Sequence, residues 1–219
     1  MLAPVTLSLL LLFMWASQDA DASVTETYSY LESKGSTSIP IEWHLEIGDH
    51  LTVTYTRADE AHTSRNDLSF ATYHWELRKP SKETRVVAKR EGNMIRLEGL
   101  FRGKPIYRNL SIDEAPWYQS VTLSLRSLVL SDQTKVEFWW VRPSTLSVYK
   151  VKATKQGDEE LTISGEVVPV EKIKISPSGY RGLFWRAFCW FGKRGGQFIK
   201  YQGPGGLPGH PETLITLQE

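Results

Sequence analysis

The sequence predicts a mainly β protein, a curled antiparallel sheet, open or closed like a barrel, with one short covering helix. Three observations predict it. Short runs of alternating apolar and polar residues recur about every 8 to 12 residues and are separated by Gly, Pro, Asn and Asp. Only Ser111 to Leu130 carries helical spacing. The stretch Leu183 to Tyr201, LFWRAFCWFGKRGGQFIKY, places seven aromatics on two arms around a turn at Gly192 to Gly196. Side chains alternate across a strand, so Phe184, Phe188 and Trp190 share one face and Trp185, Cys189 and Phe191 the other. Both faces are apolar, so this arm requires cover on both sides.

The first strand falls within Glu26 to Leu31, where Tyr28 and Tyr30 share a face. Ile39, Ile41, Trp43, Leu45 and Ile47 then alternate with polar residues, and Leu51, Val53 and Tyr55 repeat the pattern after Gly48-Asp49-His50. A two-residue loop would oppose Ile47 to His50 and mix the faces. A three-residue loop pairs Ile47 with Leu51, Leu45 with Val53 and Trp43 with Tyr55, which keeps one apolar side continuous. Residues 57 to 68, RADEAHTSRNDL, are polar and read as a surface loop. Tyr73, Trp75 and Leu77 lie on one face of the next strand, opposite Thr72, His74 and Glu76. Turns at Pro80-Ser81-Lys82, Gly92-Asn93 and Gly103-Lys104 separate strands at Thr84 to Lys89 and Met94 to Leu100.

In Ser111 to Leu130, Trp117, Val121, Leu125 and Leu128 form a helical stripe with Pro116 placed in the first turn, although Val121, Leu123 and Leu125 also alternate as in a strand. Strands resume at Lys135 to Arg142, where Trp139 and Trp140 must face opposite sides, and at Leu146 to Lys155. Gly157-Asp158 reads as a turn before Glu160 to Ser164 and Glu166 to Ile175. After the aromatic hairpin, GPGGLPGHP from Gly203 to Pro211 is a loop, and Thr213 to Leu217 is the last strand.

Residues 1–22 read as a signal peptide: an apolar run from Val5 to Ala16 precedes Ala20-Asp21-Ala22, an A-x-A cleavage site. The run is shorter than the roughly 20 residues of a membrane span. Residues 23–219 then form one β-rich domain of 197 residues with a formal charge of +3, too balanced to indicate a polyanion partner, nucleic acid included. Cys189 is the only cysteine, so the exported domain has no internal disulfide and its stability rests on its core. Between Phe188 and Trp190, Cys189 reads as a small buried hydrophobe rather than a nucleophile.

No constellation of reaction chemistry stands out. The chain has no G-x-S-x-G, H-E-x-x-H, C-x-x-C or G-x-x-x-x-G-K-[ST]. His44, His50, His62, His74 and His210 show no metal-ligand spacing and read as surface or loop histidines. The pairs Asp59/Glu60, Asp113/Glu114 and Glu159/Glu160 read as solvated charge. Basic residues cluster as Arg85/Lys89/Arg90 and Arg96/Arg102/Lys104/Arg108, a pattern that guards sheet edges or meets anionic head groups. Lys193 and Arg194 at the aromatic hairpin's tip fit either a solvated turn or peripheral membrane contact.

The order of parts in the C-terminal half carries a resemblance. Arg142-Pro143 ends a strand, Gly165 to Val167 opens another, Phe184-Trp185 and Trp190-Phe191 form the aromatic hairpin, and Gly203 to Pro211 precedes the last strand. Over residues 135 to 217, and more loosely 111 to 130, the chain resembles a family of exported bacterial β-rich domains of unknown function. It is also similar in kind to the open half-barrels of the LolA/LolB type that carry lipoproteins or lipids across the periplasm. The resemblance implies a barrel-like sheet located in the periplasm or secreted, and it supplies no catalytic residue. The chain lacks a lipobox cysteine, which implies a soluble state.

The expectation is therefore a non-enzymatic protein without a cofactor that binds an apolar small molecule, a lipid or a lipoprotein-like envelope component. Trp140, Trp185, Phe188, Trp190 and Tyr201 are the candidate ligand-binding residues, with the choice of inward-facing row left open. The alternative is an envelope structural or assembly factor that binds another protein.

Overall fold

The computed structural model describes residues 24–178, 185–204 and 212–218. The segment 1–22 expected to be a signal peptide, Phe184 in the aromatic stretch and residues 205–211, most of the expected Gly/Pro loop, lie outside them. Fourteen antiparallel strands form one sheet: β1 (Val24–Lys34), β2 (Thr37–Ile47), β3 (Leu51–Arg57), β4 (Glu60–Asn66), β5 (Thr72–Lys79), β6 (Thr84–Glu91), β7 (Met94–Phe101), β8 (Lys104–Ser111), β9 (Lys135–Arg142), β10 (Ser147–Ile163), β11 (Glu166–Pro177), β12 (Ala187–Gly192), β13 (Phe198–Pro204) and β14 (Glu212–Leu217). The order across the sheet is β8-β7-β6-β5-β4-β3-β2-β1-β14-β13-β12-β11-β10-β9. Two sequential meanders are thus joined by the last strand, which pairs with β1 on one side and β13 on the other.

The sheet curls without closing strand to strand. Its β9 edge is tied back instead by the extended segment 116–118. Trp139 N–H donates to the Pro116 carbonyl (2.8 Å), Tyr118 N–H to the Trp139 carbonyl (2.9 Å) and Thr72 N–H, at the start of β5, to the Trp117 carbonyl (2.7 Å). Two helical turns follow, α1 (Val121–Ser124) and α2 (Arg126–Val129). Pro116 therefore precedes the helical segment instead of opening it, because its carbonyl and those around it are used to join β9 to β5. Trp117, Leu125 and Leu128 of the helical stripe are fully or almost fully buried, but Leu123, from the competing alternation, is equally buried.

The helical turns lie inside the curl. Leu123, Leu125 and Leu128 share one core with Tyr30, Ile41, Trp43, Leu45 and Val53 of β1–β3 and with Phe138, Ile173, Cys189, Phe191 and Phe198 of β9–β13. A second core packs Trp75, Leu77, Val86, Ala88, Ile95 and Leu97 of β5–β7 against Trp117, Val141 and Leu146. The β2–β3 register is the one the three-residue loop predicts, with Ile47 opposite Leu51, Leu45 opposite Val53 and Trp43 opposite Tyr55.

Three other local readings change. Residues 57–68 are not a loop: 60–66 form β4, whose inward row is polar. Its Ser64 hydroxyl bonds Ser120 (2.7 Å), and Asn66 Nδ2 donates to the Leu51 carbonyl (3.2 Å) while its Oδ1 accepts from Thr72 (2.7 Å). A satisfied polar row buries without leaving an apolar period. In β5, Thr72 joins the buried side and Tyr73 is 40% exposed, because a bulge at Arg65/Asn66 shifts the phase. Gly157-Asp158 is a bulge within β10 and not a turn, since β10 runs on to Ile163 opposite Glu166. The Gly157 φ of +116° suits glycine at that irregularity.

Candidate functional site

The aromatic hairpin divides its side chains between two environments. On β12 the inward row, Cys189 and Phe191, enters the main core, and on β13 Phe198 and Tyr201 do the same. A bulge between Trp190 and Phe191 lets Phe191 oppose Phe198 while Trp190 opposes Lys200. Burial alone pushes the Cys189 thiol pKa far up, as an apolar core should.

The outward row, Phe188 and Trp190, meets the end of the long β10–β11 hairpin. Trp190 is only 4% exposed and packs with Val170 and Ile199, beside Leu161, Ile163 and Val168. Its indole N–H donates to Glu159 (2.7 Å), and the Lys172 and Lys200 ammonium groups lie 5.1 and 4.8 Å from its ring. Lys172 also pairs with Glu159 (2.8 Å) and sits 5.0 Å from the Phe188 ring. The cover that the sequence required on this face is the chain's own hairpin.

The five candidate aromatics are therefore split. Trp140, Trp185 and Tyr201 pack half-buried against the main core, whereas Phe188 and Trp190 belong to the outer cluster. Trp140 opposes Tyr149 across β9–β10, and Tyr201 opposes Cys189 and Ile215. Burial raises the Tyr201 hydroxyl pKa, with Cys189 and Glu32 adding to the effect.

Tyr201 and Glu32 mark the end of the curl that carries the turns after β1, β3 and β5, away from Arg126 of α2, which pairs with Glu26 near the start of β1 (2.7 Å). At this far end a charged cluster continues the inner face. Arg57 Nη1 donates to Glu32 (2.6 Å), and their side chains are 30% and 11% exposed. Trp75 Nε1 donates to His62 Nδ1 (3.2 Å), so His62 Nε2 carries the proton and donates to Glu60 (2.7 Å), which also accepts from Lys79 (2.7 Å). The Tyr55 ring lies 5.3 Å from that of His62. The hydrogen bond from His62, reinforced by Lys79, holds the Glu60 carboxyl down at about 2 despite its burial. Burial pushes the Tyr55 hydroxyl up to about 12.

His62 and His74 are strand residues with side chains only 15% exposed, not loop residues. The sequence hides the cluster because it rests on β4, whose polar residues carry no apolar alternation. The signal was present in Glu60 and His62, two residues apart and so on one face of a strand. Two grooves, of about 150 and 370 Å³, lie elsewhere: one between β6 and β7 beside Lys89, Arg96 and Glu98, the other beside Ser33, Gln202 and Glu212.

No protein-family model and no curated protein matches the chain. Among solved structures it is similar to a β-barrel-like protein of a domain of unknown function, DUF1849, from Brucella abortus. That match has a TM-score of 0.64 at 10% identity and covers 90% of this chain and 96% of the other. Weaker likenesses are to the hypothetical lipoprotein YmcC of Escherichia coli K12 (TM-score 0.43, 11% identity, 88% and 86% covered) and to a DUF1329 family protein of Desulfovibrio piger (0.22, 11%, 91% and 85%). The first match establishes a β-barrel-like fold found in a bacterial protein of unknown function. At such identity it carries no residue role across.

Proposed function

We propose that the chain is a non-enzymatic exported protein, periplasmic or secreted, that holds an apolar ligand such as a lipid or an acylated envelope component at the far end of its curl. The observation that supports this reading is the contrast along the inner face. Next to the helical turns that face is sealed by leucines, whereas Tyr55, Trp140, Trp185 and Tyr201 remain only half-buried, with Arg57 and Glu60 near Tyr55 and Glu32 near Tyr201 at the far end. Aromatic surface next to partly desolvated charge suits a molecule with an apolar tail and a polar head. The fold agrees with a barrel-like binder, and the resemblance in sequence to periplasmic half-barrel carriers supports a lipid or acylated ligand.

Phe188 and Trp190 enter this reading as supports of the wall and not as its lining. The test is native mass spectrometry with lipid extraction on residues 23–219 purified from the periplasm, for the native chain and for Trp140→Ala and Trp185→Ala. A stoichiometric apolar adduct that both variants lose, with circular dichroism unchanged, is the expected result. A clean apo mass for the native chain would remove the ligand reading.

A further inference from the structure

The last strand of the first meander, β8, is a sheet edge with no strand beyond it among the described residues. Six of its eight residues are exposed, and only Ile106 and Leu110 pack inward. It pairs with β7 along its full length, Met94 opposite Ser111 through Phe101 opposite Lys104, so every second residue turns its backbone groups to the free side. Pro105 gives its phase. Proline sits in an edge strand with its nitrogen turned away from the partner, so Tyr107 and Asn109, at the same parity, direct their N–H groups to the free side.

Charge selects what can add there. Residues 84–111 hold seven basic and two acidic residues, a local charge of +5 in a chain whose total is +1. Both acidic residues, Glu91 and Glu98, face Arg96 at 3.9 and 3.6 Å. Arg85, Lys89, Lys104 and Arg108 have no ion-pair partner among the described residues. Lys104 and Arg108 lie on β8, which carries no acidic residue. Tyr107 is 61% exposed with the Arg96 guanidinium 5.0 Å from its ring, a stacked pair on the outer face beside the edge. A second copy of β8 would bring Lys104 and Arg108 against their own kind, which opposes edge-to-edge self-association.

We propose that β8 is a docking edge for an extended acidic segment of a partner protein, which adds to the sheet as a fifteenth strand and sets its carboxylates against Lys104 and Arg108. Backbone pairing supplies the attachment and charge the selectivity. This surface is separate from the far-end interior, and neither reading depends on the other.

The test uses residues 23–219 and a blocked octapeptide of alternating Glu and Thr/Val, measured by isothermal titration at low and high salt. Controls are the same peptide with Lys for Glu, an N-methylated form, and vesicles with and without phosphatidylglycerol. The Glu peptide is expected to bind, the Lys and N-methylated peptides not, and the affinity to fall at least tenfold at high salt. Asn109→Pro should abolish binding with the melting temperature unchanged, since that N–H points outward. Should it unfold the chain instead, Lys104→Glu with Arg108→Glu serves as the second variant, expected to weaken binding at least tenfold. Equal binding of the Lys peptide, indifference to N-methylation, or binding to anionic vesicles without binding to the peptide would each overturn the proposal.

Discussion

Leu125→Ala decides whether the helical turns are core or lid. Leu125 has no exposed surface and packs with Leu123 and Leu128 inside the curl. The change removes three buried carbons, about 2.4 kcal/mol at 0.8 per methylene. The cavity left behind adds to that, because strands from both meanders fix the walls, so a total of about 3 to 4 kcal/mol is expected. For a chain of this length the melting temperature should fall by roughly 6–16 °C. Leu130→Ala is the control: Leu130 is 55% exposed at the end of α2 and should change stability by less than about 0.5 kcal/mol. Thermal denaturation followed by circular dichroism reads both, with a fluorescent fatty acid as a binding probe on the same samples. If Leu125→Ala melts within 2 °C of the native chain and takes up more probe, the turns are a displaceable cover. The interior, and not the far end, would then be the ligand's place.

Glu60→Gln should flatten part of the acid limb of stability. The Glu60 pKa is held at about 2, below its ordinary value of 4.5, so its carboxylate stabilises the fold above pH 4.5 and that contribution is lost as pH falls from about 4.5 toward 2. Partial exposure limits the effect to about 1–2 kcal/mol, visible as a smaller difference between urea midpoints at pH 5 and pH 3. Cys189, with burial raising its thiol pKa, should resist iodoacetamide in the native state and react fully in denaturant; rapid native labelling at pH 8 would contradict the core assignment. Gly99 has φ +129° and an added Cβ would lie 2.2 Å from the Arg85 carbonyl oxygen, so Gly99→Ala should cost about 3 kcal/mol or prevent folding, as judged by soluble yield and melting. Trp190→Ala should cost about 3–5 kcal/mol by emptying the outer cluster, whereas a native-like melt would show that the β10–β11 hairpin does not depend on it.

The strands that alternate apolar with polar were legible from the sequence, down to the β2–β3 register, because one-residue slippage there would expose Trp43 and Leu45. The aromatic arm's two-sided burial was legible for the same reason. Illegible were the places where polar groups bury by satisfying one another. Asn66, fully buried between Leu51 and Thr72, looks in sequence like any loop asparagine. The curl's tie at 116–118 was hidden too, since a single hydrogen-bonded residue such as Trp117 has no period to read. Of the candidate site, the five aromatics stand out in the sequence but their sides do not. Which row faced inward depended on the β10–β11 hairpin reaching past the Gly157 bulge to cover Trp190, a contact no local pattern announces.

The chain's topology explains why the aromatic hairpin had to be so apolar. Its inward residues complete a core whose opposite wall, Tyr30 through Val53, is built from the first meander, more than 130 residues earlier. The Tyr30 hydroxyl donates to the Phe198 carbonyl (3.1 Å), their rings are 5.3 Å apart, and β14 stitches β1 to β13 between them. Without a disulfide among these elements, such a late, long-range junction is held mainly by the apolar area it removes from water, because each backbone hydrogen bond gained there replaces one to water. The density of aromatics in β12 and β13 is therefore what the closing of the curl requires. Aromatic content alone is then no sign of a ligand. On the proposed ligand reading, the residues that go beyond that need are the half-buried Trp140, Trp185 and Tyr201, because a seam could have been sealed there with leucine, as it is beside the helical turns.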